Sequence, residues 1–156
     1  MKRIALAAAL LVSLAAPAWA GLDAGWAAYE RGDYLAALWE WRPLADRGHA
    51  AAQNNLAVMY AAGQGVKQDF AAAATWHRRA AEQGHALAQS QLGVIYGNGR
   101  GVPQDYVQAH LWFTLSAAQG NDDTARKNRE LVAEKMTPAQ IAEAQKLARE
   151  WKPKKE

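Results

Sequence analysis

"YAAGQGVKQDFAAA" occupies residues 60–73, and "YGNGRGVPQDYVQA" occupies residues 96–109, 36 positions later. Both stretches keep two glycines, a valine, a Gln-Asp pair and an aromatic after it. A catalytic site is normally built once, so a sentence written twice points to a repeated structural unit. When residues 48–83 are set against 84–119, 17 of the 36 positions are identical. The identities include Gly48/Gly84, His49/His85, Gln53/Gln89, Leu56/Leu92, Val58/Val94, Tyr60/Tyr96, Asp69/Asp105 and Trp76/Trp112. A fixed period in this range is the signature of stacked repeats. One period earlier, Asp33, Tyr34, Ala37 and Gly48 align with Asp69, Phe70, Ala73 and Gly84. Residues 21–47 therefore form a third, degenerate unit, shorter by five residues between Tyr29 and Asp33.

Each unit divides into two helices. Ala52, Leu56, Met59 and Tyr60 fall at i, i+4, i+7 and i+8, one stripe of a helix over residues 50–61. Gly63 and Gly65 break it. Asp69 precedes a second helical pattern in which Phe70, Ala73, Trp76 or His77, and Ala80 share a face. Its carboxylate suits a helix N-cap, where it accepts from orphan amides. Gly84 is placed to end that helix with a positive φ. Val66 and Val102 are expected as plugs under the turns. No strand pattern appears. The expected fold is all-α, a short α-α superhelix of stacked helix pairs.

After the second full unit the pattern changes. Residues 121–136 and 137–153 read as two more helices without the repeat. Thr137-Pro138-Ala139-Gln140 is a helix start, with Thr137 as cap and Gln140 able to close a capping box. Ile141, Ala144, Ala148 and Trp151 give an apolar face, and Leu131 and Val132 another. Stacked repeats need a terminal unit with a polar outer side, so residues 121–156 are expected to cap the stack.

The units resemble Sel-one-like repeats, relatives of the tetratricopeptide repeat. The family pattern runs roughly A-x-x-x-L-G-x-x-Y-x-x-G-x-G-V-x-x-D-x-x-x-A-x-x-W, and "AQNNLAVMYAAGQGVKQDFAAAATW" and "AQSQLGVIYGNGRGVPQDYVQAHLW" follow it. One departure is Ala57, where the pattern has Gly and the second unit has Gly93. Some secreted members of the family staple their helix pairs with disulfides, whereas this chain has no cysteine. The resemblance implies protein–protein interaction and not catalysis. By the tetratricopeptide analogy, the first helix of each unit lines a concave surface. With Leu56/Leu92 and Tyr60/Tyr96 as core, the concave positions are Asn54/Ser90 and Val58/Val94. These four residues are the candidate partner-binding set.

No chemistry competes with that reading. Without cysteine, disulfides and thiolate metal sites are excluded. The four histidines lie in no H-x-x-x-H or HExxH spacing. Ser90 and Ser116 lie in no G-x-S-x-G. The "GQG" and "GRG" turns lack the Gly-Lys-Ser/Thr of a P-loop and follow helices. Asp69 and Asp105 read as repeat-equivalent caps before they read as a catalytic pair. No catalytic residue, cofactor or metal is expected. A small-ligand or peptidoglycan-fragment binder is the second reading. A cell-wall-active hydrolase is the third, with no motif behind it. Nucleic-acid binding gets no support, since no basic stripe runs through the middle of the chain. The one cationic cluster, "KPKK" at residues 152–155, reads as a solvated terminus.

The first 20 residues, "MKRIALAAALLVSLAAPAWA", read as a bacterial secretory signal peptide. Lys2 and Arg3 are its positive end, an uncharged apolar run follows, and Ala18-Trp19-Ala20 supplies small residues at the cleavage positions. The alternative is an uncleaved anchor. The run is short against the roughly 20 apolar residues a span needs, and Pro17 fits cleavage better. Removing Lys2 and Arg3 leaves 16 basic against 15 acidic side chains. The mature chain is then a single domain over residues 21–156, periplasmic or secreted, with an unnamed protein or peptide as partner. Intact-mass measurement of periplasmic material should find a species beginning at Gly21. A full-length species held in the membrane fraction would exclude cleavage.

Overall fold

The computed structural model describes residues 18–120 and 123–155. Among them the chain is helical and strand-free. The helices are α1 Ala18–Glu30, α2 Tyr34–Asp46, α3 Ala50–Ala62, α4 Phe70–Glu82, α5 Ala86–Asn98, α6 Tyr106–Ala118, α7 Asp123–Ala133 and α8 Pro138–Glu150. Each of α1 to α6 packs on the next one in sequence, and α8 returns onto α6. The result is a stack of helix pairs, as the period predicts.

The opening sentence of each unit now has a physical account. Its first glycine ends a helix in the left-handed region, with φ of +68° at Gly63 and +63° at Gly99, where a Cβ is disfavoured. Its second glycine serves another purpose besides. A Cβ on Gly65 would lie 2.9 Å from the backbone of Tyr34, and one on Gly101 would lie 2.4 Å from that of Phe70. Tyr34 and Phe70 open α2 and α4. Each turn thus rests on the start of the preceding unit's second helix. Asp69 Oδ1 accepts from the amides of Ala71 and Ala72, both at 2.9 Å, and Asp105 Oδ1 accepts from Gln108 at 3.0 Å. Val66 and Val102 are half-buried under these turns.

A buried glutamine joins the helices of each unit. Gln53 and Gln89 are fully buried. Their Nε2 atoms donate to the carbonyls of Ala45 and Ala81, at 3.2 and 3.1 Å. Their Oε1 atoms accept from Gln83 and Gln119, at 2.8 and 2.6 Å. One side chain therefore ties the end of the previous helix to the end of the next.

The front unit, though degenerate in sequence, is a complete helix pair. Its connection is only Arg31-Gly32-Asp33, with Gly32 at φ +77° and Asp33 capping Ala36 at 3.1 Å. Trp41 is buried at its centre, with ring centroids 5.3 Å from Trp26 and 5.7 Å from Tyr29. At the other end, Leu147, Ala148 and Trp151 pack against Leu111, Trp112 and Leu115. Trp76 and Trp112 are core residues, 9% and 6% exposed. The Thr137–Gln140 capping box is formed.

Two expectations need correction. Leu131 does not cover α6. It is 56% exposed, and Val132, named with it, supplies the buried contact together with Ala125. The "KPKK" segment is not merely solvated. The Lys154 backbone amide donates to the Glu82 carbonyl at 2.8 Å, and its Nζ meets the Glu82 carboxylate at 2.9 Å. The expected cleavage point falls within the first turn of α1, while the rest of the expected signal peptide, residues 1–17, lies outside the described residues.

The glycine account separates two costs. At Gly32 nothing lies within 4 Å of an added Cβ, so Gly32→Ala should cost only the left-handed penalty of about 1–2 kcal/mol. At Gly101 the backbone of Phe70 adds overpacking, and Gly101→Ala should cost roughly 3 kcal/mol or more. Urea unfolding of both variants checks this. Equal losses would mean the second glycine is not an inter-unit contact.

Candidate functional site

Three cavities open between successive odd-numbered helices. The first, of about 110 Å³, is walled by Trp26 and Tyr29 of α1, Trp41 of α2, Asn54, Asn55 and Val58 of α3, and Leu87 of α5. The second, of about 140 Å³, lies between Ala61 of α3 and Gln91, Val94 and Asn98 of α5, with Ala73 and His77 of α4 beside them. The third, of about 280 Å³, lies between Val94 and Asn98 of α5 and Asn128 and Leu131 of α7, with Phe113 and, just past α7, Lys135 among its walls. Val94 and Asn98 are shared by the second and third.

Helical geometry produces this row. Asn54, Val58 and Ala61 fall at i, i+4 and i+7 on α3, and Leu87, Gln91, Val94 and Asn98 at i, i+4, i+7 and i+11 on α5. Such residues share one face. That face points away from the core residues Leu56 and Leu92. Four large apolar side chains remain exposed along it: Trp26 at 47%, Leu87 at 54%, Val94 at 36% and Leu131 at 56%. Every one of them lines a cavity.

The four sequence candidates are distributed unevenly. Asn54 and Val58 share the first cavity, and Val94 lines the second and third. Ser90 is 8% exposed and lines none of the three. Trp26, Asn55 and Leu87 were not singled out, and Leu131 was named only for the cap. Leu87 was findable, because Ala51 at the equivalent position makes a leucine there depart from the repeat. Leu131 lies in a segment without a repeat partner, and Trp26 in the front unit, whose first half has diverged from the other two, so comparison within the chain does not expose them.

His77 stands beside this face. It is 3% exposed, its Nδ1 has no hydrogen-bond partner, and it occupies the position that Phe113 holds one unit later. Burial, with a smaller contribution from His85, pushes its pKa down to about 4. His85 is lowered too, by burial first and then by His49. Among the described residues no three His, Asp or Glu side chains are grouped to hold a metal ion, and no helix is long and apolar enough to cross a membrane.

The Sel1 repeat pattern matches residues 50–85 and 86–121. None of the curated proteins compared with the chain matches it. Two solved structures are similar. One is a protective antigen of uropathogenic Escherichia coli displaying an SLR fold, at 36% identity and a TM-score of 0.83. That match covers 87% of this chain, which spans only 30% of the antigen's length. The other is a Sel1 repeat protein from Oxalobacter formigenes, at 36% identity and a TM-score of 0.65, covering 72% of this chain and 87% of that one.

The depressed pKa of His77 carries a consequence for stability. The unfolded chain binds a proton near pH 6.5, the ordinary value for histidine, while the folded chain resists it down to about 4. The stabilisation is complete above pH 6.5 and is lost as pH falls between those values, by about 1.4 kcal/mol per pH unit. The double variant Ala57→Gly/His77→Phe copies the Gly93–Phe113 pair of the next unit. Urea titrations from pH 7.5 to 4.5 should show it losing about 1 kcal/mol less per pH unit than the parent. Parallel curves would mean that His77 does not titrate this way.

Proposed function

Because the chain belongs to the Sel1 repeat family, we propose that it is a non-enzymatic interaction module whose odd-numbered helices present a peptide-binding groove. The observation that carries this is the row of exposed Trp26, Leu87, Val94 and Leu131, each at the mouth of a cavity. Exposed apolar side chains cost nothing when isolated, but aligned along one face and rimmed by polar groups they mark a binding surface. Binding that covers half-exposed aromatic and aliphatic anchors also concentrates energy in a few residues. The signal-like start of the sequence supports export to the periplasm, where such a module would serve as an adaptor. The small-ligand reading rests on the third cavity alone. Its volume of about 280 Å³ sits at the lower edge of the roughly 300–1,000 Å³ usual for small-molecule sites.

A random linear peptide library selected on the mature chain tests the reading. Enriched peptides should bind with a Kd that rises more than about tenfold in the Val94→Lys and Leu131→Lys variants. Trp39, 81% exposed on α2, is the control, and Trp39→Ala should leave binding unchanged. No enrichment, or binding sensitive to Trp39 and indifferent to the odd-numbered helices, would exclude the groove.

A further inference from the structure

The two turn sentences differ at a position where a neutral residue gives way to a charge. Gln64 in "GQG" becomes Arg100 in "GRG". Gln64 Oε1 accepts from the Tyr29 hydroxyl at 2.8 Å. The Arg100 guanidinium instead lies over the Phe70 ring, 4.8 Å from its centroid, and both side chains line the second cavity. One unit later the arrangement recurs with Lys135. Its Nζ lies 5.6 Å from the centroid of Tyr106, the equivalent of Phe70, and both line the third cavity. Each cation stands two residues past the end of an odd-numbered helix, Arg100 after α5 and Lys135 after α7.

These two cations are set in a surface otherwise free of charge. Among the described residues, no Lys, Arg, Asp or Glu except Arg100 lines the second cavity, none except Lys135 lines the third, and none lines the first. Helices α3 and α5 carry no such residue along their whole length. Arg100 and Lys135 are both exposed, and neither pairs with a carboxylate among the described residues. Stacking on a ring holds each cation at the rim without neutralising it. A helix C-terminus favours a nearby cation, but it would do so equally after α3, where Gln64 stands. The charge is therefore not a requirement of the turn.

Unpaired cations beside apolar cavities select a partner of opposite sign. The second and third cavities share Val94 and Asn98, so one chain can run across both. We propose that these two cavities together take an extended acidic peptide. Its apolar side chains enter beside Val94 and Leu131, and its carboxylates pair with Arg100 and Lys135. The proposal rests on the groove reading and names the charge of the peptide that the groove accepts.

The test is a selection from a linear peptide library in which every position is Leu, Gly, Glu or Lys in equal proportion. Peptides enriched on the mature chain should carry Glu in excess of Lys. The best of them should lose at least about tenfold in affinity in the double variant Arg100→Glu/Lys135→Glu. Selection on that variant should reverse the preference to Lys, which also shows that the variant is folded. The double variant Lys152→Glu/Lys155→Glu makes the same change of net charge on the terminal segment and should bind as the parent does. Leu131→Lys should weaken the best peptide more than about tenfold, although it adds a positive charge. Any of four results overturns the proposal. These are selected peptides with no excess of Glu, a Glu-rich peptide that binds Arg100→Glu/Lys135→Glu undiminished, equal losses in the two double variants, or a Glu-rich peptide that Leu131→Lys strengthens. Peptides with no excess of Glu that are still lost in Leu131→Lys would leave the groove reading standing. The absence of any selected peptide would remove both.

Discussion

The stack depends on a side chain that most cores exclude. Gln53 and Gln89 sit fully buried, each accepting one hydrogen bond and donating another. A buried amide is costly unless its groups are paired. Here the pairing partners are the end of the preceding helix and the glutamine closing the following one. The amide therefore fixes where three helices meet, which apolar contacts alone would leave free to slide. Because Ala45 and Ala81 are equivalent, as are Gln83 and Gln119, the same joint is made at each boundary, and a constant geometry propagates along the stack.

The turn glycines act with that joint. The close approach of Gly65 to Tyr34 and of Gly101 to Phe70 sets how near each unit lies to the last. The tyrosines near the ends of α3 and α5 add a polar tie, with Arg42 bonded to Tyr60 and Arg78 to Tyr96. With the odd-numbered helices held this way, their outer faces cannot close on one another. The cavities between them are a by-product of inter-unit spacing, and the side chains at their mouths decide what they accept. Small residues matter here as well. Gly93 yields its space to the Phe113 ring, which an added Cβ would meet at 2.7 Å. The first unit has Ala57 and the smaller His77 instead. That exchange explains the departure from the family pattern at Ala57, and it brings a titratable ring into the core.

Much of this was legible in the residues themselves. The identities at 36-residue spacing carried the helix pairs, the aspartate caps, the turn glycines and the core tryptophans, since each of these depends on contacts the chain makes again one unit later. The capping box at Thr137 is local and was equally readable. The front unit was underrated because its loop had shortened, although Gly32 and Asp33 are enough to turn the chain. Leu131 was misplaced because a short helix with few apolar residues does not announce which face meets its neighbour.

The groove was only half visible. Helical period placed Asn54, Val58 and Val94 on one face, because a side chain's direction follows from its register. It also placed Ser90 there, yet that residue is buried and lines none of the three cavities. Trp26, Asn55, Leu87 and Leu131 entered through packing between units, which no single helix encodes. Sequence by itself determined the repeat, its helices and their ends, because those rest on local hydrogen bonds and recurring contacts. Tertiary structure alone decided which exposed side chains share a cavity, because that depends on how closely α1, α3, α5 and α7 are allowed to approach.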